Sequence, residues 1–228
     1  MPPTVNGDLF DFASTPLSTE YSGTYVKVLD DLFTPQECED LISLAESEHE
    51  WDVALVSTST GDRLMTDYRN SERILRFDHD TANKIFERLL PYVQELVEIK
   101  PGGRWEEIVG YRKRMTSTWN LVGINERLSF LRYGPGNFFH EHCDGQLRLP
   151  DGRHSKVTLQ IYLKNEKMSG GATRFQGNNG RFVDIEPKVG RVLIFQQKKM
   201  YHSGQEVTKG LKYALRSDFM FRETKASD

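Results

Sequence analysis

Two apolar rhythms divide the chain. Up to about residue 100 hydrophobic side chains recur at helical spacing. From about residue 119 they fall in short runs of alternating character. Residues 24–29 read as a strand. Thr34-Pro35-Gln36-Glu37 is a helix start, with Thr as N-cap, Pro in the first turn and Glu placed to close a capping box. Cys38, Leu41, Ile42 and Ala45 then share one helical face. Residues 56–72 are polar with little apolar period and are expected to form a long loop, a class of segment that often serves as a lid. A second helix is expected from near Asp80, with Ala82, Ile85, Phe86, Leu89 and Val93 as its buried stripe; Pro101-Gly102-Gly103 closes the helical part.

The later pattern predicts strands at 127–133, 138–144, 156–163, 172–176, 181–186, 191–196, 201–207 and 211–221. Turn signals separate them: Gly134-Pro135-Gly136, Gly170-Gly171, Asn178-Asn179-Gly180 and Lys209-Gly210. Short strands so punctuated imply an antiparallel sandwich or open barrel. Residues 1–22, rich in Ser, Thr, Pro, Asp and Gly, read as a flexible N-terminal arm. That leaves 23–228 as a single domain, with helical support at 34–100 and a β core at ~119–222.

Composition narrows the picture. Aromatic residues make up 11% of 228 residues, which suits a sheet-rich fold. The net charge of −3 gives no basic footprint for nucleic acid. The local runs Arg112-Lys113-Arg114 and Lys198-Lys199 read as solvated faces. Cys38 and Cys143 are the only two cysteines, and no disulfide is expected between them. The first residues lack a basic n-region and an apolar h-region, and no run approaches the ~18–20 apolar residues of a membrane span. A soluble chain in the cytoplasm is the expectation, with no membrane partner.

The chemistry lies in His142-Cys143-Asp144. Residues two apart on a strand share a face, so His142 and Asp144 can grip one ion. His202 follows 58 positions after Asp144, and Lys212 ten positions after His202. Two His and one carboxylate on one face of a metal describe a non-haem Fe(II) site with open positions. Two of those could hold a 2-oxoacid and one O2. His140 offers an alternative, because His140-x-His142 could be the H-x-H pair of a cupin-type site. His49, His79 and His154 have no ligand spacing. On 211–219, Lys212, Ala214, Arg216 and Asp218 share a face. An inward Lys is costly unless an anion meets it, and Tyr133 and Tyr162 lie on strands from which a hydroxyl could reach the same anion. Core packing is the plainer role for each Tyr taken alone.

These stretches resemble the Fe(II)/2-oxoglutarate-dependent dioxygenase superfamily, in its prolyl 4-hydroxylase-like branch. The resemblance rests on Phe130-Leu131-Arg132-Tyr133-Gly134-Pro135-Gly136, His142-Cys143-Asp144-Gly145, Val157-Thr158-Leu159-Gln160-Ile161-Tyr162-Leu163, Gly170-Gly171-Ala172-Thr173-Arg174-Phe175, the segment 184–195, and His202 with Lys212-Tyr213-Ala214-Leu215. It covers residues ~120–222, and the strand and capped helix at 24–48 look similar too. It implies a mainly β fold with flanking α, a double-stranded β-helix (jelly-roll) core with N-terminal helices. It implies Fe(II) on His142, Asp144 and His202, and 2-oxoglutarate held by Lys212, Tyr162 and Tyr133, with Thr173 in the pocket wall. It also implies O2 as cosubstrate, ascorbate as a supporting reductant, and hydroxylation of an unactivated C–H bond with release of succinate and CO2.

Three features depart from the family pattern. Arg216 could rival Lys212 for the 2-oxoglutarate C5 carboxylate, bind an anionic substrate group, or pair with Asp218 or Glu186. The insertion 145–153 could shape the mouth of the site. Tyr68-Arg69-Asn70-Ser71-Glu72-Arg73 could fold over it, although a charged loop is more often a solvated surface. A peptidyl-proline or an amino-acid-like, small carboxylate substrate is expected, the latter because Arg69, Arg73 and Arg216 place cations near the cavity. Desaturation or cyclisation would use the same chemistry. The alternatives are a cupin-like metalloenzyme using His140, His142 and His202 without 2-oxoglutarate, and a β-sandwich binding module without activity.

Overall fold

The computed structural model describes residues 7–58, 60–110, 115–165 and 167–225. Its principal elements are β1 (Val26–Leu29), α1 (Pro35–Glu46), β2 (Arg69–Asn70), β3 (Glu72–Phe77), α2 (His79–Leu89), β4 (Ser117–Ile124), β5 (Arg127–Tyr133), β6 (Phe138–His142), β7 (Arg153–Lys164), β8 (Thr173–Gln176), β9 (Phe182–Ile185), β10 (Val192–Gln196), β11 (His202–Gly204) and β12 (Lys212–Lys225). The major sheet runs β1–β10–β7–β12–β5–β3 and ends on the short strand Asp52–Val53; β4 pairs with the far half of β12. The minor sheet runs β9–β8–β11–β6–β2. Every pairing in the two sheets is antiparallel. The fold is a mainly β jelly roll with flanking helices.

Strand alternation sorts the major sheet into two faces. On β7, Val157, Leu159, Ile161 and Leu163 join a core that also takes Leu128 and Phe130 of β5, Leu215 and Phe219 of β12, and Ile42, Ala45, Ile85 and Leu89 of the two helices. The intervening residues Thr158, Gln160, Ser129, Leu131, Ala214 and Arg216 line a cavity on the opposite face. Helices cover one side of the sheet, and the minor sheet stands across the other.

The capping box at Thr34 forms, with Thr34 N–H donating to Glu37 and Glu37 N–H donating to Thr34 Oγ1. Glu37 also takes Arg88 of α2 at 2.6 Å, and that partner, followed by the Thr34 amide, draws its pKa down to about 2. The second helix starts at His79, capped by Asp78, and buries Ala82, Ile85 and Leu89. Phe86 is half-buried, and Val93 lies past the helix end although fully buried.

Three expectations are corrected. The region 56–72 is not one loop: Val56–Thr58 pairs with Gly61–Arg63 in a hairpin, and β2 and the start of β3 follow. Side-chain hydrogen bonds such as Ser57 to Asp62 at 2.7 Å support that hairpin, so it needs no apolar period. The described part of the N-terminal arm is packed rather than extended. Phe12, Leu17 and Tyr21 are buried against Phe175 and Phe195, and Tyr21 donates to the Gln176 carbonyl. They extend the apolar cluster that Phe175 of β8 and Phe195 of β10 share. The strand expected over 138–144 ends at His142, with a register shift after Phe139. Met1–Asn6 and the run Arg112–Arg114 lie outside the described residues. Cys38 and Cys143 are both free.

Gly190 joins the helical and sheet layers. It sits at φ +77°, and its carbonyl accepts from the Leu32 and Phe33 amides just before α1. A Cβ there would stand 1.9 Å from the Phe33 carbonyl oxygen. Gly190→Ala is expected to lower unfolding free energy by at least about 2 kcal/mol, measured by urea denaturation; an unchanged midpoint would contradict this packing.

Candidate active site

The cavity between the sheets measures about 710 Å³. Its floor is the polar face of β7, β12 and β5. Lys212 sits opposite Tyr133, Ala214 opposite Leu131 and Arg216 opposite Ser129 in the β12–β5 register. Its roof is the minor sheet, where β6 and β11 pair His142 with His202.

His142, Asp144 and His202 converge, each offering a donor atom within 4.8 Å of the others. His142 Nε2 lies 3.9 Å and His202 Nε2 3.8 Å from the Asp144 carboxylate. The other nitrogen of each ring is tied to the main chain two residues earlier. His142 Nδ1 meets the His140 carbonyl at 2.7 Å, and His202 Nδ1 meets the Met200 carbonyl at 3.1 Å. A carbonyl only accepts, so both rings carry a proton on Nδ1 and turn Nε2 toward Asp144. Burial, then the neighbouring His202, pushes the His142 pKa down to about 4. Its ring stacks on Phe139 at 3.7 Å, while Phe195 packs edge-on against His202. This donor set is suited to a metal that keeps positions open for other ligands.

Asp144 is off the strand and is placed by side chains. Thr158 donates to Oδ2 at 2.6 Å, and Arg216 contacts Oδ1 at 3.0 Å. Burial pushes this carboxyl up, but Arg216, His202 and His142 outweigh it and hold the group well below the usual carboxylate range. Arg216 also reaches Asp218 at 3.2 Å, and Gln197 donates to the same Asp218 oxygen. Of the roles open to Arg216, the paired one is found: its guanidinium is shared between Asp144 and Asp218, not with Glu186.

Lys212 lies at the other end of the floor, 3% exposed. Its ammonium donates to the Gly171 carbonyl at 2.6 Å and faces the rings of Tyr133 and Tyr162. No carboxylate is within ion-pair distance among the described residues, and burial pushes its pKa down to about 8. Thr173 Oγ1 beside it accepts from Tyr162 Oη at 2.7 Å and from Gln160 Nε2 at 3.0 Å. Those two bonds fill its lone pairs, so its own hydrogen is left to donate into the cavity. Tyr162 itself sits behind Thr173 and does not line the cavity, whereas Tyr133 does.

His140 does not join the cluster. It is exposed, packs near Phe138 and Tyr68, and hands only its backbone carbonyl to His142. His49, His79 and His154 are likewise outside the His–Asp–His group. Arg69 and Arg73 do line the cavity, as do Gly145, Gln146 and Leu147 of the insertion and residues 56–58 of the hairpin. Asp218 lies on the face expected for it, whereas Thr158, Gln160 and Arg127 were not singled out in the sequence. Thr158 and Gln160 share the Tyr162 face of β7, and Arg127 shares the Tyr133 face of β5, so alternation was the signal available for them.

Removing Arg216 leaves two buried carboxylates facing each other. Arg216→Leu is expected to cost about 3 kcal/mol of unfolding free energy near neutral pH. Without the guanidinium the folded-state pKa of Asp144 rises above its unfolded value, and that of Asp218, already raised by burial, rises further. The deficit therefore shrinks as pH falls through about 4 and the carboxyls take up protons. A pH-independent deficit in denaturant titrations would contradict the shared ion pair.

Comparison with known proteins agrees with this geometry. The 2OG-Fe(II) oxygenase superfamily model matches residues 128–217. A search of curated proteins gives no match. Among solved structures the chain is similar to a Pseudomonas putida prolyl-4-hydroxylase, at TM-score 0.59 and 17% identity over 85% of this chain and 91% of that one. It is similar to a viral collagen prolyl hydroxylase from Paramecium Bursaria Chlorella virus-1, at TM-score 0.54 and 20% identity over 88% and 97%. It is also similar to a Trichoplax adhaerens prolyl hydroxylase solved with a hypoxia inducible factor peptide, at TM-score 0.57 and 16% identity over 89% and 84%. These likenesses concern the fold. The segment that holds the convergent His–Asp–His cluster, residues 128–217, matches the 2OG-Fe(II) oxygenase superfamily, whose members are dioxygenases that use Fe(II), 2-oxoglutarate and O2.

Proposed function

We propose that the chain hydroxylates an unactivated C–H bond of an amino-acid-like or small carboxylate substrate, or of a peptidyl-proline, with Fe(II) held by His142, Asp144 and His202. The observation that carries this is the aim of the two Nε2 atoms at Asp144, each ring locked by a backbone carbonyl. Fe(II), when bound with 2-oxoglutarate, supplies the oxidising chemistry that releases succinate and CO2. The chain's own residues bind and orient. Lys212 meets the C5 carboxylate, supplying the anion that its buried ammonium lacks. Tyr133 lies beside that carboxylate, and Thr173 donates to it, fixed from behind by Tyr162 and Gln160. Thr158 and Arg216 keep Asp144 ionised and oriented. Phe139 and Phe195 limit water around the histidines. The same site could desaturate or cyclise a suitable substrate, since the outcome is set by the substrate carbon presented.

A cupin-like site on His140, His142 and His202 is the weaker reading, because His140 is exposed and turned away while Asp144 joins the cluster.

Anaerobic addition of Fe(II) and then 2-oxoglutarate should produce the weak visible charge-transfer band of the chelate. The band should vanish in Asp144→Ala and need more 2-oxoglutarate in Lys212→Ala. Its absence from folded, iron-loaded wild type would overturn the assignment. Thr173→Val should weaken 2-oxoglutarate binding by roughly tenfold, the loss of one hydrogen bond to a charged group, with Thr173→Ser near wild type. Affinity should also depend on pH. The free Lys212 ammonium loses its proton near pH 8, whereas the bound carboxylate keeps it charged. Binding above that pH therefore takes up a proton and weakens by up to about tenfold per unit. Isothermal titration in two buffers of different ionisation heat reads that uptake directly; a flat profile across pH 8–10 would contradict the Lys212 pairing.

A further inference from the structure

The end of the cavity away from Lys212 is walled by arginines that the reading above does not use. Cavity-facing residues of β5 run from Tyr133 beside Lys212 to Arg127, six residues and so roughly 20 Å further along. Arg73 lies beside Leu131 on the neighbouring strand β3. Arg69 comes from β2 at the edge of the minor sheet, opposite Phe139. The chain crosses from one sheet to the other at Ser71, planting one guanidinium on each side of the crossing.

These cations outnumber the carboxylates that face them. Five cationic side chains line the cavity (Arg69, Arg73, Arg127, Lys212 and Arg216) against two carboxylates, Asp144 and Asp218. Arg216 already shares both carboxylates. The nearest carboxylate to Arg73 is the partly exposed Asp62, at 4.0 Å. Neither Arg69 nor Arg127 has a carboxylate within ion-pair distance among the described residues. Arg69 is 8% exposed, yet it donates only to Ser71 Oγ and the Leu55 carbonyl and lies over the Phe139 ring. Burial, then Arg69 and Arg127, lowers the Arg73 pKa. Guanidiniums held together and out of water are costly without an anion, and their planar forks match carboxylate and phosphate oxygens.

We infer that Arg69, Arg73 and Arg127 form the substrate-anchoring site, and that the substrate carries an oxyanion, a carboxylate or a phosphate. This rests on the Fe(II) and 2-oxoglutarate assignment above and names the substrate class for it. The spacing is set by a stack: Arg69 sits 4.7 Å over Phe139, and Phe139 sits 3.7 Å from the His142 ring. An anion on Arg69 and its neighbours therefore leaves the carbon part of the substrate over Phe139 and Leu131, facing the His–Asp–His cluster. Lys212 remains available to 2-oxoglutarate at the opposite end.

Inorganic phosphate and malonate serve as probes in isothermal titration of the metal-free full chain. At least one should bind to wild type. Its binding should weaken roughly tenfold or more, about 1.4 kcal/mol, in Arg73→Gln and in Arg127→Gln. It should be kept largely in Arg127→Lys and in Lys212→Ala. Tighter binding of phosphate points to a phosphorylated substrate, and tighter binding of malonate to an organic acid. The anaerobic chelate band should persist in both Gln variants, which shows that they fold and that the 2-oxoglutarate end is intact. Loss of that band in wild type would strike the cofactor assignment alone. The anchor is overturned if neither anion binds, if binding survives both Gln variants, or if it is lost in Lys212→Ala instead.

Discussion

Charge buried between two sheets has to be matched, and this constraint orders the whole interior. The pleat of β12 sends Leu215 and Phe219 into the helical core and Lys212, Arg216 and Asp218 into the cavity. An inward row of ionised groups is tolerable only with partners. Arg216 finds its partners inside the protein, in Asp144 and Asp218. Lys212 has only a carbonyl and two aromatic faces. The contrast divides the strand into a part neutralised by folding and a part that folding leaves without a counter-charge.

The same constraint explains why Asp144 can leave its strand and still be well placed. β6 ends at His142, so no ladder fixes the carboxylate. Thr158 and Arg216, both from the floor, take over that task across the gap. The cluster is thus built from both sheets: the roof supplies the two histidines, and the floor holds the acid. Phe12, Leu17 and Tyr21 join Phe175 and Phe195, which pack against His202, in one apolar cluster.

Much of this was legible in the residues. The capping box at Thr34 is a local rule and was satisfied locally. The alternation on 127–133, 156–163 and 211–221 gave the strands and the shared face of Lys212 and Arg216. What was not legible depended on partners distant in sequence. The hairpin at 56–63 is held by side-chain and ladder hydrogen bonds that leave no apolar period. The N-terminal segment looked mobile because it is polar overall, yet three side chains anchor it in the second core. His140 shares its alternation parity with His142, but the register shift after Phe139 breaks that parity and turns it outward. Whether Arg216 would meet an internal acid or a ligand could not be read from one strand, because its partner Asp144 comes from a loop 72 positions earlier.

The two histidines are oriented by carbonyl groups, and a carbonyl is present whatever side chain its residue carries. The residues between each anchor and its histidine, Glu141 and Tyr201, are exposed. Their side chains can therefore be exchanged without disturbing the direction of either Nε2 lone pair. The rim of such a site can drift in shape and charge while the grip on a metal stays constant. One fold can in this way explore new substrates by substitutions next to its most demanding residues, where change would ordinarily be least tolerated.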